Sequence, residues 1–343
     1  MKIAILTSGI LPVPAVQGGA VENLIDFYLE YNDRHRLHDI TVYSVGHPAA
    51  LRHKALQSTA NHYRFVDTTS LTARTRRKIR AWTKPRGDYY NNFIEYFFEQ
   101  ACKDLSRHHY DCILLENRPG YARKLSERGF GNIVLHLHND LLNDTTRHHQ
   151  QVFNSLSRIL TVSEFIRSRV ASIQPSDKII TVHNGIDLSR FSSASSPAIA
   201  RADIGFTDND FVLVYSGRIN RDKGISELID AMLLLQDLPD IKLLVVGSTF
   251  FGNAASDDDF VQSLKTKAHA IENRLVFTGF VAYDRMPSYL QLADVAVVPS
   301  IWDDPFPTTV LEAQAMGLPL IVSNRGGIPE EIGSGNAVTV ETG

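Results

Sequence analysis

Cysteine is scarce: Cys102 and Cys112 are the only two among 343 residues. That is too few for a disulfide framework or a four-thiolate zinc site, and it fits a reducing cytoplasm. Both are read as ordinary buried side chains. An excess of one charge is lacking too. Lys and Arg total 35 against 38 Asp and Glu, a net charge of −3, so the surface as a whole does not suit nucleic acid. No apolar run approaches the roughly 20 residues that cross a bilayer. Residues 1–11, with Lys2 as the charge, have the outline of a secretory signal, but the apolar part is short and Gly18-Gly19 then opens a helical pattern. A buried first strand is the better reading. The chain also lacks a P-loop and a G-x-G-x-x-G, which removes the main support for ATPase and dehydrogenase readings.

What is present is ordinary globular material, 43% hydrophobic and 21% charged, in a length that suits two domains. Strands are expected over 3–7, 40–45, 112–115 and 133–137. A helix is expected over 20–31, where Val21, Leu24, Ile25, Tyr28 and Leu29 share one face. Residues 191–202 are rich in Ser, Ala and Pro and read as a linker. The pattern restarts with strands over 211–215, 242–246, 275–277, 295–298 and 320–322. Helices over 225–235, 260–270 and 308–316 alternate with them. Short apolar strands alternating with amphipathic helices give α/β architecture: two doubly wound parallel sheets. The domains are expected at 1–190 and 203–343, joined near residue 195. Ligands of such sheets bind outside the carboxyl ends of the strands, so two halves facing each other would make a cleft.

Three segments carry candidate chemistry. In WDDPFPTTVLE (302–312), Asp304 precedes the helix and Glu312 falls in its second turn. Pro307 suits a first helical position and Gly317 a stop. The amides of Thr308 and Thr309 would form an anion site, Asp304 could reach a sugar hydroxyl, and Glu312 a ribose diol. The bland alternative, a capping Asp and a surface Glu, stays open. In SGRINRDKG (216–224), Arg218 and Lys223 could both reach a diphosphate, one as a planar fork and the other as a point charge. Alone, a solvated basic loop explains it as well. Gly18-Gly19 lets backbone approach a ligand closely, as any tight turn could.

Together with VHNGID (182–187), FTGFV (277–281), ADVAVVPS (293–300) and DDPFPTTVLEAQAMGLPLI (303–321), these segments resemble the retaining glycosyltransferases of family 4, across almost the whole chain. The resemblance implies the GT-B fold: two Rossmann-like domains, with acceptor bound by the first and nucleotide sugar by the second. It implies that Arg218 and Lys223 bind the donor diphosphate with help from Ser216 and Gly217. Glu312 then holds the ribose and Asp304 the transferred sugar. Phe306, Pro307, Thr308 and Thr309 line sugar and phosphate, Gly279 and Phe280 frame the base, and Gly18 and Gly19 reach the diphosphate across the cleft. Two departures stand out. The opening acid is Asp304 where the family usually has Glu, one methylene shorter. The chain stops at Gly343, ahead of the family's last helices, so the second domain is expected to lack them.

His136 and His138 in LHLHND alternate and share one strand face. The family places a donor-sugar contact on a His here, and His138, nearer the carboxyl end, is the better match; a structural histidine is the alternative. Asn139 and Asp140 could orient it, and Asp140 could touch the acceptor. Glu116, Asn117 and Arg118 of ENRPGY follow a strand and are assigned to the acceptor, with a structural loop as the rival. Residues 74–86 carry Arg74, Arg76, Arg77, Lys78, Arg80, Lys84 and Arg86 around Trp82, with no acid until Asp88. This suits either a solvated face or contact with anionic lipid. Asp257 to Asp259 is read as a solvated acidic run. Arg218 and Lys223 supply the charge a metal would bring, so no metal and no cofactor beyond the donor substrate is expected.

The resulting expectation is a retaining hexosyltransferase, with Arg218, Lys223, Asp304 and His138 as catalytic residues. It takes sugar from a UDP-sugar, ahead of other nucleoside-diphosphate sugars, to a glycan or lipid-linked glycan in polysaccharide or lipopolysaccharide assembly. It would work in the cytoplasm, with peripheral contact at the inner membrane face. A sugar-nucleotide epimerase of the same fold and a non-catalytic nucleotide-sugar-binding subunit are the rivals.

Overall fold

A computed structural model describes residues 1–83, 92–192, 199–249, 259–333 and 335–342, with the side chains of residues 80, 81, 83, 92 and 93 left aside. The chain forms two compact units, Met1–Asn184 and Gly185–Gly343.

In the first unit the strands are β1 (Lys2–Leu6), β2 (Asp39–Val45), β3 (Asn61–Val66), β4 (Cys112–Glu116), β5 (Ile133–Leu137), β6 (Arg158–Thr161) and β7 (Ile179–Thr181). They pair in parallel in the order β3-β2-β1-β4-β5-β6-β7. The helices are α1 (Ala20–His35), α2 (Leu71–Thr83), α3 (Asn92–Leu105), α4 (Pro119–Ser126), α5 (His149–Asn154) and α6 (Glu164–Ala171).

In the second unit β8 (Phe211–Ser216), β9 (Ile241–Val246), β10 (Leu275–Gly279), β11 (Val295–Val298), β12 (Leu320–Ser323) and β13 (Ala337–Val340) pair in parallel in the order β10-β9-β8-β11-β12-β13. Its helices are α7 (Ile225–Leu234), α8 (Asp259–Lys267), α9 (Met286–Leu290), α10 (Thr308–Ala315) and α11 (Ile328–Glu331).

Both orders reverse direction between the unit's first and fourth strands. That reversal is the doubly wound switch point, where ligands of such sheets sit. It selects the ends of β1 and β4 in the first unit and of β8 and β11 in the second.

The inner strands are largely apolar because both faces are covered, whereas β3 at the sheet edge carries polar residues. In the second unit Val212, Val214, Leu244 and Val246 meet Val310, Ala313 and Met316 on one face. Leu213, Tyr215, Leu243 and Val245 meet Ile225, Ile229 and Met232 on the other. Alternate residues of one strand thus serve two cores, and each fully buried aliphatic side chain contributes about 1.5–3 kcal/mol. In the first unit Ile5, Ile40 and Val42 pack on Ile25 and Leu29 of α1, the face expected of that helix.

Several readings need correction. Phe191 is not linker: it is 3% exposed, packs in the second unit's core and meets Tyr283 edge to face at 5.5 Å. Ile186 and Ile199 pack on the same core. The boundary therefore falls at Asn184/Gly185, and not near residue 190. Residues 193–198 lie outside the described ones. Pro307 is the N-cap of α10, in extended conformation with φ −72° and ψ 122°, one position earlier than expected. The helix expected over 260–270 ends at Lys267 and gives way to a 3-10 turn, His269–Arg274. Cys102 is buried but Cys112 is only partly so. Asp257 and Asp258 lie outside the described residues, as do Lys84 and Arg86.

Candidate active site

In the second unit the turn after β8 and the segment after β11 lock together. The Asp222 carbonyl accepts from the amides of Ile301 and Trp302 at 3.1 and 3.3 Å. Gly224, at φ 69°, fits there because a Cβ would stand 1.8 Å from the Pro299 carbonyl oxygen. This lock sets Lys223, whose Nζ pairs with Asp304 Oδ2 and lies 5.9 Å from the Trp302 ring. Its side chain is 26% exposed against 7% for Asp304, so the cation has an open side and the carboxylate almost none. Arg218 is exposed, and its carbonyl accepts from the Tyr215 hydroxyl at 2.7 Å.

The leading end of α10 belongs to the same group. Thr309 Cγ2 is 3.9 Å from where a Cβ on Gly217 would be. The Asp304 carbonyl accepts from the Gly327 amide at 2.7 Å, which fixes the loop before the helix. The first amides of α10 have no intrahelical acceptor, and no side chain caps them. Phe306 and Pro307 are buried, whereas Thr308 and Thr309 are half-buried. Glu312, one turn in, is 3% exposed and accepts hydrogen bonds from Thr308 and Tyr283. Burial outweighs those bonds and pushes its carboxyl up to about 7. Gly317 ends the helix at φ 74° with the Leu318 amide bonded back to Ala313, the stop expected of it. The structure thus brings together Ser216, Gly217, Lys223, Asp304, Pro307, Thr308, Thr309 and Glu312. Gly279 belongs to the same strand-end rim, its carbonyl accepting from the Gly247 amide at 3.1 Å. Phe280, half-buried, follows it.

Residues that sequence reasoning missed join this group. Gly247 ties the end of β9 to those of β8 and β10: the Gly217 amide bonds to Val246 O at 3.0 Å and the Ile219 amide to Ser248 O at 3.0 Å. A glycine directly after an apolar strand was its signal. Tyr283 had none. Glu331 had none either: it is 8% exposed, and both carboxylate oxygens are buried without a partner among the described residues. Burial first, then the nearby Asp304 and Glu330, push it up to about 10.

In the first unit the switch point holds a different group. Register pairs Glu116 of β4 with His136 of β5, so their side chains share a face, and His138 follows two residues on. His138 Nε2 is 2.9 Å, and His136 Nδ1 3.3 Å, from Glu116 Oε2. The Tyr28 hydroxyl of α1 donates to the other oxygen at 3.1 Å. Glu116 is fully buried. Burial opposes its charge, yet the two histidines hold its carboxyl well below the ordinary range. Burial and the neighbouring His136 lower His138. Among the described residues these three are the group whose ligand atoms, all within 4.8 Å of one another, match a metal site's spacing. Their separations are those of hydrogen bonds.

This arrangement revises the acceptor assignments. Glu116 has no surface to offer an acceptor. Asn117, in the left-handed region at φ 60°, spends its amide on His136 O and its side-chain oxygen on the His138 amide. Arg118 Nε donates to Ser8 O at 3.0 Å, and Asp140 is held by Arg169 at 2.8 Å and Asn143 at 2.9 Å. Gly18 and Gly19 lead into α1, which has no side-chain cap. A Cβ on Gly19 would meet Glu22 Oε2 at 2.3 Å. Glu22 is itself pushed up to about 7 by burial, against hydrogen bonds from its own backbone and Ser8.

These features can be set beside known proteins. Residues 198–343 match the family model "Glycosyl transferases group 1". Along 97% of its length the chain is 29% identical to the putative glycosyltransferase YtcC of Bacillus subtilis, covering 77% of that protein. It is 28% identical to spore coat protein SA of the same organism, covering 98% of this chain and 84% of the other. In structure it is similar to Anabaena Alr3699/HepE in complex with UDP-glucose. The TM-score is 0.72 at 22% identity, over 100% of this chain and 86% of that one. The fold is GT-B, and residues 198–343 carry the group 1 glycosyltransferase domain, with a putative glycosyltransferase similar along nearly the whole length.

Proposed function

We propose that the chain is a metal-independent, retaining hexosyltransferase of family 4. It would move a sugar from a nucleoside-diphosphate sugar, UDP-linked first, to a glycan or lipid-linked glycan in polysaccharide or lipopolysaccharide assembly. The observation that carries this is the half-open Lys223 beside Asp304, Gly217 and the uncapped head of α10. A diphosphate there meets a cation and free amides at once. Breaking the anomeric C–O bond puts charge on the leaving phosphate, where Lys223 and Arg218 stabilise it. The acceptor oxygen forms the new bond on the same face, and its proton passes to a leaving-phosphate oxygen. Asp304 contacts the sugar and Glu312 the ribose. His138 is assigned to the sugar as well. The UDP-glucose complex of the similar Anabaena protein supports UDP as first choice.

Melting of the full chain against a panel of sugar nucleotides tests this. A bound donor at 100 times its Kd stabilises by about 2.7 kcal/mol. No shift with any member sinks the reading, and donor rearrangement without acceptor would mark an epimerase. Loss of activity with EDTA, restored by magnesium or manganese, would refute metal independence.

Membrane contact belongs to the same proposal. No helix among the described residues is long and apolar enough to cross a membrane. On α2, Ala73 is buried while Leu71, Ile79 and Trp82 are 81%, 58% and 94% exposed. At 100° per residue these three lie opposite Ala73, flanked by exposed Arg74, Arg76 and Lys78. An apolar stripe edged by cations suits the surface of an anionic leaflet, at the cytoplasmic face of a membrane. Liposome sedimentation checks it: equal binding to neutral and anionic vesicles removes the electrostatic part.

A further inference from the structure

In the second unit the Lys223 ammonium has two neighbours of different kinds. One is the Asp304 carboxylate, its ion-pair partner. The other is the Trp302 ring, whose centroid lies 5.9 Å from Nζ, within reach of a cation–π contact. The backbone ties all three together. The Trp302 amide donates to Asp222 O, next to Lys223, at 3.3 Å, and Trp302 O accepts from the Asp304 amide at 2.8 Å. The buried Ser300 hydroxyl sits between the ends of this frame, 3.3 Å from Asp222 O and 3.1 Å from Trp302 O. Cation, acid and ring are thus set by one stretch of hydrogen-bonded chain.

The indole's polar group is not what holds it there. Trp302 Nε1 is buried and has no hydrogen-bond partner among the described residues, which is costly for a folded chain. A phenylalanine would avoid that cost. What the indole has over a smaller ring is the best face for a cation. A ring face and a carboxylate also act differently. The carboxylate attracts the ammonium by cancelling its charge and, at 7% exposure, draws it inward. The ring attracts it without cancelling charge, so the ammonium keeps its whole charge for an incoming anion.

We propose that Trp302 is a positioning residue for Lys223: its ring is the neutral floor on which the ammonium exchanges Asp304 for the donor diphosphate. The exchange frees Asp304 for the sugar, and the floor keeps Lys223 from following the carboxylate inward. Diphosphate and sugar rest on the proposed function; the floor rests on the ring, the cation and their shared frame.

The test replaces tryptophan with its mono-, di- and tetrafluoro analogues. Fluorine withdraws the electron density that attracts a cation and changes the ring's shape little. Trp82 and Trp302 are the two tryptophans of the chain, so the full chain with Trp82→Phe carries one indole. Each analogue is compared with the unfluorinated protein of that background. In the ligand-free protein the denaturant midpoint should fall stepwise with fluorine. It should not fall in Lys223→Met with Asp304→Asn, which removes the cation without leaving a buried charge unpaired. Equal slopes in the two proteins would overturn the contact without reference to any ligand.

With the nucleotide sugar that binds in the melting panel, kcat/KM should fall log-linearly with fluorine, by about fivefold over the series. Trp302→Leu should lose as much, and Trp302→Phe should recover most of it. A flat series in a protein that shows the ligand-free contact overturns the positioning role, and so does full turnover in Trp302→Leu. If Trp302→Leu does not fold, the fluorine series decides. Absence of any nucleotide-sugar binding sinks the proposed function instead, and inorganic pyrophosphate then becomes the probe of Trp302. A stepwise loss of its affinity supports the floor; affinity indifferent to fluorine, or no binding at all, overturns it.

Discussion

The two units share a strand order yet arm their switch points in opposite ways. The second unit puts a half-exposed cation, glycines and an uncapped helix head where β8 and β11 end. The first puts a buried carboxylate, two histidines and a phenol where β4 and β5 end. One arrangement suits an anion that arrives with its own charge. The other has its charge already met within the protein. The same topology therefore supplies the place, and the few residues after each strand supply the chemistry.

The comparison can be broken most forcefully at the boundary. Phe191 belongs to the second unit's core, so Phe191→Ala should cost about 3–5 kcal/mol. Hydrogen exchange should speed up in residues 185–343 and much less in 1–184. Unchanged exchange in 185–343 would return Phe191 to a linker. Next comes the cation: Lys223→Ala should lower turnover about 10²–10³-fold, as loss of one fixed donor to a developing charge does, and Arg218→Ala similarly. A variant of either with wild-type turnover would remove the diphosphate clamp.

Much of this was legible in the residues. Continuous apolar strands with helical spacing between them announced both sheets, and β5 and β11 run from 133 to 137 and 295 to 298 as expected. The second unit's site was legible because its parts are local: nine residues hold Arg218 and Lys223, eleven hold Asp304 and Glu312. What joins them is long-range. The Lys223–Asp304 pair spans 81 positions, yet both lie at ends of adjacent strands, so topology could supply it. The first unit's cluster was misread because Tyr28 stands 88 positions from Glu116 and nothing local marks the pairing. Glu116 looked like a loop residue facing ligand, and turned out to be the last residue of its strand, facing the core. β3, β6, β7 and β13 were missed because β3 alternates polar with apolar residues and the other three are only three or four residues long.

Glu331 offers a further contrast with Glu116. Both are buried carboxyls near strand ends, but among the described residues the Glu116 carboxylate has three partners and that of Glu331 none. The folded state holds a proton on Glu331 up to about pH 10, whereas an unfolded chain loses it near 4.5. Between those values the unfolded state binds fewer protons, so stability falls as pH rises, at about 1.4 kcal/mol per unit. Glu331→Gln should gain little at pH 5 and about 3 kcal/mol at pH 7. Denaturant midpoints of both proteins at several pH values check this. A gain independent of pH would mean that Glu331 finds a partner in solution.

Glu312 gives the smallest effect and the sharpest link between burial and ligand. Its carboxyl is pushed up to about 7, with Thr308 and Tyr283 as hydrogen-bond donors. A ribose diol brings two hydroxyl donors, which an ionised carboxylate can accept and a protonated one can accept only in part. Binding therefore selects the deprotonated form. Nucleotide affinity should rise with pH, by up to about tenfold per unit below pH 6, and level off above about 8. Calorimetry in two buffers of different ionisation enthalpy should show a proton released on binding at pH 6. Glu312→Gln should flatten the profile near its acid limit. An affinity constant from pH 5.5 to 8 in the wild type would mean that the nucleotide does not need this carboxylate charged, and the ribose assignment would have to move elsewhere on the unit.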